Sequence, residues 1–205
     1  MQISSIQIPT LQIPTLQISS LPVLRKISTA ALSVFCAVSF LTSSVEAAET
    51  NTGAKSYQVE TLASGLNFPW CVAFLPDGRM LVTQRSGELR YVNSDGTLSA
   101  PITGTPEPYV RSQGGLFDVL LAPDFASTGT IYLSLAAGSP ERNATRVVRA
   151  QLKDNALVNS EIVFEVAYKK DTPVHYGGRM VWDNTGHLLL TTGDGFNFRE
   201  EAQDP

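Results

Sequence analysis

Residues 71–83 read CVAFLPDGRMLVT, which is an apolar run, a polar turn from Pro76 to Gly78 and a second apolar run. Two later segments follow the same order. In residues 117–134 the runs FDVLL and TIYLS flank a linker that begins APD, and residues 179–191 read RMVWDNTGHLLLT. Short apolar runs that flank a polar turn are typical of β-hairpins. Each segment therefore predicts two antiparallel β-strands.

The similar segments recur along the chain, with turns at Pro76, Pro123 and Asp183 that lie 47 and 60 residues apart. Further strands are predicted between them, at Glu88–Asn93, Arg146–Leu152 and Ile162–Val166. About four strands in every ~40–50 residues is the periodicity of β-propeller blades. The sequence therefore predicts an all-β chain with a β-propeller fold and at most a short helical insert. A β-sandwich with ordinary hairpins is the alternative.

Composition limits the class of protein. The 205 residues are 43% hydrophobic and 17% charged, with a formal net charge of -4. These values exclude an intrinsically disordered chain and argue against a dedicated nucleic-acid binder, which would be basic. All 15 glycines follow residue 52. The first fifty residues are therefore a separate compositional region, distinct from the β-rich body.

The N-terminal region has the features of an export signal. Residues 2–21 form four five-residue units that each begin Gln-Ile, which is a low-complexity pattern. Two basic residues then precede an apolar run at residues 27–41, which suits a signal-peptide core and is short for a membrane span. Val45 and Ala47 place small residues at the -3 and -1 positions of a cleavage site. We therefore expect cleavage after Ala47 and a periplasmic or secreted protein with no stable membrane anchor; an uncleaved anchor is the alternative.

The chain accordingly divides into three regions. These are a low-complexity leader with a signal peptide at residues 1–47, a flexible start at residues 48–56 and a β-rich body at residues 57–205. After cleavage only Cys71 remains, so the body is expected to have no intramolecular disulfide. Because Cys71 follows Trp70 in an apolar run, it is expected to be a buried and unreactive thiol.

Two loops each place a polar side chain just before Gly-Gly, Gln113 in RSQGGLF and His175, with Tyr176 between, in PVHYGGRM. Paired glycines let the backbone turn sharply and approach a ligand closely. A neutral imidazole is the usual base for a hydroxyl proton, and a carboxylate commonly orients it. Asp194, in TTGDG, lies one hairpin after His175 and could return to it. The alternative is a hydrogen-bonded loop histidine and an ordinary turn aspartate, and His187 is expected to be solvated.

Metal ligation has little support in the sequence. The carboxylates of Asp77, Asp124 and Asp183 lie in separate turns, and no His/Cys cluster is present. The acidic residues within 200–204 are too few and too local to indicate a calcium site. The sequence therefore predicts no metal ligand.

Three ordered motifs resemble one known family. Residues 65–83 (GLNFPWCVAFLPDGRMLVT) closely resemble the opening blade of the soluble quinoprotein sugar dehydrogenases, the glucose/sorbosone dehydrogenase family. Residues 113–126 and 175–194 look like its second and third signatures. The resemblance implies a six-bladed propeller that carries pyrroloquinoline quinone (PQQ) with calcium and oxidises aldose sugars at C1 to lactones. Its expected partners are an aldose and an external electron acceptor.

The resemblance also implies roles for the three candidate residues. The histidine matching His175 removes the hydroxyl proton as hydride passes to the quinone, and the aspartate matching Asp194 supports it. The glutamine matching Gln113 lines the cofactor and substrate pocket. Some relatives carry an acidic residue immediately before the histidine, where this chain has Val174. A sugar contact from that position is therefore not expected.

Length sets a further expectation. A blade needs about 45 residues, so residues 57–205 make about three blades. The loops that hold the quinone carboxylates and the calcium belong to the second half of the family's proteins. We therefore expect this chain to be an N-terminal portion with little activity alone. A non-enzymatic exported propeller that binds a protein or carbohydrate, and a fragment without function, are the alternatives.

Overall fold

The computed structural model describes residues 59–200. The leader, its cleavage site, the flexible start and the last five residues lie outside that range, so the predictions about them and about the domain boundaries stay predictions. Within the described part of the chain, no helix is long and apolar enough to cross a membrane.

The described residues form three antiparallel sheets, each built from consecutive strands. The first sheet contains β1 (Pro69–Phe74), β2 (Met80–Gln84) and β3 (Leu89–Val92). The second contains β4 (Leu116–Leu121), β5 (Thr130–Gly138), β6 (Asn143–Lys153) and β7 (Ala156–Glu165). The third contains β8 (Gly177–Trp182) and β9 (Leu188–Thr192). One short helix, α1 (Phe125–Thr128), connects β4 to β5.

The first strands of the three sheets are neighbours, because β4 contacts both β1 and β8. Three sheets of consecutive strands that meet through their first strands form the blade arrangement of a propeller, whereas a sandwich stacks two sheets. The predicted all-β class and propeller arrangement are confirmed, with three blades among residues 59–200. The four-residue α1 is within the limit of at most a short helical insert that the sequence set.

Aspartate side chains shape the predicted hairpin turns. Between β1 and β2, the Arg79 backbone N–H donates to Asp77 at 3.0 Å. Between β8 and β9, the Thr185 backbone N–H donates to Asp183 at 2.8 Å. An aspartate that accepts from the backbone two residues on helps to fix a tight turn. Both loops, LPDGR and DNTGH, also have a glycine as their fourth residue with a positive φ, 86° at Gly78 and 90° at Gly186, which explains why they give equivalent hairpins. His187 lies beside the second turn with its side chain 76% exposed, as expected.

Three aromatic rings form a continuous row across the first strands: one from β1, one from β4 and one from the residue immediately before β8. The Trp70 and Phe117 ring centroids lie 5.5 Å apart, and those of Phe117 and Tyr176 lie 5.4 Å apart. Tilted rings at this spacing attract one another in addition to the apolar area that they bury. The row therefore ties β1, β4 and the segment that leads into β8.

A buried carboxylate also links the first strands of neighbouring sheets. Asp118 in β4 is 3% exposed at its side chain and accepts the Met180 backbone N–H at 2.6 Å. Its other oxygen accepts from Arg179 Nη1 at 3.1 Å, and the same nitrogen lies 3.3 Å from Cys71 Sγ. The Arg179 guanidinium also lies over the Trp70 ring, 4.8 Å from its centroid. We call Asp118 and Arg179 the inter-sheet pair, because together they contact all three first strands.

Cys71 is buried, as predicted. Burial, with the nearby Asp118 carboxylate, raises the pKa of its thiol to about 11. Since the thiolate is the reactive form, we expect native Cys71 to react with an aromatic disulfide reagent at pH 8 less than a tenth as fast as in guanidinium chloride. The measurement uses a Cys36→Ser variant, so that one thiol is counted. Equal rates in the native and unfolded states would contradict the assignment of Cys71 as an unreactive core thiol.

Candidate active site

The three residues predicted from the sequence lie at the same end of the sheets. Gln113 is three residues before β4, and His175 is two residues before β8. Asp194 is two residues after β9, which runs antiparallel to β8 and so returns to the end where β8 begins. The structure therefore brings together side chains that lie up to 81 residues apart in the sequence.

His175 and Asp194 form a direct hydrogen bond, with 2.6 Å between Nδ1 and Oδ1. The same Asp194 oxygen accepts the Phe196 backbone N–H at 2.9 Å. That backbone bond, with the His175 bond, lowers the pKa of Asp194, so the carboxylate is ionised at neutral pH. An ionised carboxylate only accepts, so the proton of this bond is on Nδ1, and in the neutral imidazole Nε2 then keeps its lone pair. No described protein group bonds Nε2, and the imidazole is 40% exposed.

Gln113 holds the histidine through its backbone. Its Oε1 accepts the His175 backbone N–H at 2.8 Å, while its own N–H donates to the Pro173 carbonyl at 3.1 Å. The two Gly-Gly loops are therefore joined directly. The side-chain amide N–H groups of Gln113 make no hydrogen bond with a described protein group. They are free to donate to a ligand beside the imidazole.

The backbone at His175 is strained. Its φ of 54° lies in the left-handed region, which costs an L residue about 1–2 kcal/mol. The Gly193 position leaves room for this conformation, because a Cβ added there would lie 2.0 Å from the His175 carbonyl oxygen. The Gly195 N–H also reaches that oxygen, at 3.4 Å. Strain that surrounding contacts hold in place is a feature of functional sites.

One aromatic ring packs on His175, and a second ring lies with a guanidinium that contacts the Gln113 loop. The Phe196 ring meets the His175 ring edge-on, with centroids 5.4 Å apart. Phe68, before β1, is 66% exposed, and the Arg85 guanidinium lies 4.8 Å from its ring centroid. Arg85 also donates to the Ser112 carbonyl in the Gln113 loop. The site thus combines a free imidazole nitrogen, free amide donors and exposed aromatic surface.

Sequence reasoning missed the buried support of the site. The Tyr176 hydroxyl donates to Asn143 Oδ1 at 2.6 Å, and Thr145 Oγ1 donates to the Tyr176 carbonyl at 2.8 Å. Lys170 lies against the Tyr176 ring, with Nζ 3.6 Å from its centroid. Tyr176 follows a candidate residue directly, which is a local signal, but Asn143 and Lys170 carry none. Lys170 sits in the polar run KKDT, which reads as a solvated loop.

The carboxylates and histidines of residues 59–200 form no group of three or more that could hold a metal ion. For a quinone, the described residues fit the reacting end, because an oriented imidazole and the Gln113 side chain bonded to its backbone belong to one site.

The chain was compared with known proteins. A family model described as glucose/sorbosone dehydrogenase matches residues 66–205. Aldose sugar dehydrogenase YliI from Escherichia coli K12 is 42% identical over 150 residues, which cover 71% of this chain and 40% of that protein. The chain spans about 40% of the length of the curated relatives it matches.

Solved structures give the same result. The soluble aldose sugar dehydrogenase of E. coli in the apo-form superposes with a TM-score of 0.67 at 42% identity, over 71% of this chain and 43% of that one. The PQQ-bound form of aldose sugar dehydrogenase from Streptomyces coelicolor superposes with a TM-score of 0.60 at 28% identity, over 67% of this chain and 41% of that one.

Proposed function

The chain belongs to the glucose/sorbosone dehydrogenase family, and we propose that it provides the general base of a PQQ-dependent oxidation of aldose sugars at C1. The observation that carries the proposal is the His175–Asp194 pair, which orients the imidazole and leaves Nε2 without a described protein partner at the end of the sheets where the two Gly-Gly loops meet. The aldose dehydrogenase from E. coli and the PQQ-bound one from S. coelicolor support the choice of substrate class and cofactor.

In this proposal His175 Nε2 takes the proton of the C1 hydroxyl. Asp194 accepts from Nδ1 and offsets the positive charge that forms on the imidazole. Gln113 holds the His175 backbone and lines the pocket with its free amide N–H groups. When bound, PQQ would accept the hydride that leaves C1, so the sugar loses one proton and one hydride and becomes the lactone.

Calcium has no assigned role in this mechanism, because residues 59–200 contain no cluster of three or more acidic, histidine or cysteine side chains that could hold a metal ion. The resemblance still implies calcium with the quinone. We also propose that the protein is exported, on the basis of the basic pair and apolar run that precede Ala47. For the 205-residue chain alone we expect little or no dye reduction.

The test is a hybrid enzyme in which residues 66–200 of this chain replace the matching segment of the E. coli aldose sugar dehydrogenase. With PQQ and calcium added, we expect it to reduce an artificial electron acceptor only when an aldose is present. Omission of the sugar and omission of PQQ are the controls. A folded hybrid that binds PQQ and oxidises no aldose contradicts the proposal. A hybrid that binds no PQQ favours a binding module instead.

A further inference from the structure

Two adjacent lysines precede β8, and they lie in different surroundings. Lys169 donates to Glu165 and to the Val166 carbonyl at the edge of the molecule. Lys170 turns inward and is 7% exposed. The run KKDT therefore contains one partly buried lysine that is paired with a carboxylate, its side chain 21% exposed, and one buried lysine. A buried ammonium that pairs with no adjacent carboxylate is uncommon in proteins.

Lys170 contacts both segments that carry the candidate pair. Its Nζ donates to the Val174 carbonyl, which belongs to the peptide group that leads into His175. Its side chain also passes beside the turn after β9, where a Cβ added to Gly195 would lie 3.0 Å from Lys170 Cδ. The ammonium rests on the face of Tyr176, 3.6 Å from the ring centroid. Lys170 thus contacts both the segment that leads into His175 and the turn that contains Asp194.

The Lys170 backbone is fixed to the second sheet. Its N–H donates to the Asn143 carbonyl at 3.0 Å, and its carbonyl accepts the Asn143 N–H at 2.8 Å. Asn143 is fully buried at the start of β6, and its side-chain oxygen accepts from the Tyr176 hydroxyl. The base of the lysine is therefore rigid, and its amine reaches the His175 loop from a fixed point.

Burial of the Lys170 amine costs desolvation free energy, and the need to fill space does not explain why a lysine occupies this position. Desolvation lowers the pKa of Lys170 to about 8, against the opposing attraction of the Asp194 carboxylate. A methionine would fill the same channel with no charge to desolvate. What the lysine adds over a methionine is a set of N–H donors and a positive charge on the inner side of Asp194.

We propose that Lys170 is a positioning residue of the site: its ammonium holds the Val174–His175 peptide by hydrogen bonding and attracts Asp194, and so keeps the Nδ1–H of His175 directed at the Asp194 carboxylate. The effect on catalysis rests on the proposed function. The effect on the imidazole does not, since it concerns the protein alone.

The first test measures the histidine rings in the full chain. Labelling with ¹⁵N-histidine gives two imidazoles, His175 and His187, and the second lies at the opposite end of the sheets and serves as an internal reference. In Lys170→Met we expect the Nδ1 proton of His175 to exchange with water about tenfold faster or more, because the loop opens more often. His187 is expected to be unchanged. Lys169→Met is the matched control and is expected to match the wild type.

The outcomes divide cleanly. Faster exchange at His175 in Lys170→Met, but not in Lys169→Met, supports the proposal. An exchange rate within about twofold of wild type in a folded Lys170→Met overturns it. If Lys170→Met fails to fold, the test is made on the wild-type chain. A Lys170 ammonium that exchanges slowly with water and shows a coupling across its hydrogen bond to the Val174 carbonyl supports the proposal. Absence of that coupling overturns it.

The second test uses the hybrid enzyme and separates binding from turnover. Misplacement of a base by about 1 Å costs about 100-fold, so Lys170→Met is expected to lower kcat by about that factor with little change in KM. Lys170→Arg, which keeps the charge and the donors, is expected to recover part of the loss. A higher KM with an unchanged kcat would overturn the proposal. If the hybrid itself oxidises no aldose, the proposed function fails, and the ring measurement alone decides the role of Lys170.

Discussion

Replacing His175 with Gln in the hybrid enzyme is expected to lower kcat for aldose oxidation by about 10²–10⁴-fold. Glutamine keeps a planar polar side chain of similar length and can still hydrogen-bond to Asp194, but it has no basic nitrogen. The C1 hydroxyl then loses its proton acceptor, while the pocket keeps its shape. Steady-state dye reduction gives kcat and KM, and the loss is expected mainly in kcat.

His187→Gln is the control for this prediction, because His187 is the other histidine of the chain and is largely exposed beside the β8–β9 turn. It is expected to leave kcat unchanged. PQQ binding, followed by the quinone absorbance, should be similar in both variants, which shows that the fold is intact. Turnover of His175→Gln at the wild-type rate would remove His175 as the base.

Replacing Asp118 with Ala is expected to lower the free energy of unfolding of the 205-residue chain by about 2–4 kcal/mol. The change leaves the Met180 backbone N–H buried without its acceptor and removes the anchor of Arg179. Arg179 itself is 56% exposed at its side chain and can turn to water, so the cost comes mainly from the buried N–H. Urea unfolding followed by tryptophan fluorescence measures the change.

Two variants serve as comparisons for the loss of stability expected in Asp118→Ala. Asp118→Asn keeps an oxygen for Met180 and is expected to lose less than Asp118→Ala. Asp77→Ala removes an exposed carboxylate that pairs with Arg79 at 2.7 Å, and such pairs contribute less than about 1 kcal/mol. Equal stabilities for Asp118→Ala and Asp77→Ala would show that the inter-sheet pair does not stabilise the packing of the three first strands.

The hairpins could be predicted because the residues that determine each turn lie close together in the sequence. In LPDGR and DNTGH the aspartate, its backbone acceptor role and the flanking apolar runs all lie within about ten residues. The second segment departed from the pattern, since PDFAST forms α1 in place of a tight turn. Four helical residues need no periodic apolar face, so the pattern of that segment could predict a linker but not its conformation.

The candidate pair was predictable for a different reason. Both Gln113 and His175 precede Gly-Gly, and equivalent positions in repeated units meet at the same end of the sheets. The bond between Gln113 and the His175 backbone could not be predicted, because it depends on a left-handed φ at His175. Nothing in the sequence PVHYGG requires a positive φ at a histidine.

Most of the residues that sequence reasoning missed have partners that are distant in the sequence. Asp118 and Met180 are 62 residues apart, and Asn143 and Tyr176 are 33 apart. Such contacts are set by how neighbouring sheets pack. Lys170 differs, because its acceptor Val174 is only four residues away. Its burial could not be predicted because the adjacent Lys169 has the same side chain but is less buried and pairs with Glu165.

The order of strands bears on how the chain acquires its fold during synthesis. Every strand of a sheet pairs with a strand next to it in sequence, so the first sheet is complete at Val92 and the second at Glu165. A protein that leaves the ribosome N-terminus first can therefore form its sheets one at a time, with short loops to close. The Asp118 carboxylate lacks its Arg179 and Met180 partners until those two residues have been synthesised. The inter-sheet pair thus closes late, and its variants are expected to act mainly on the rate of unfolding.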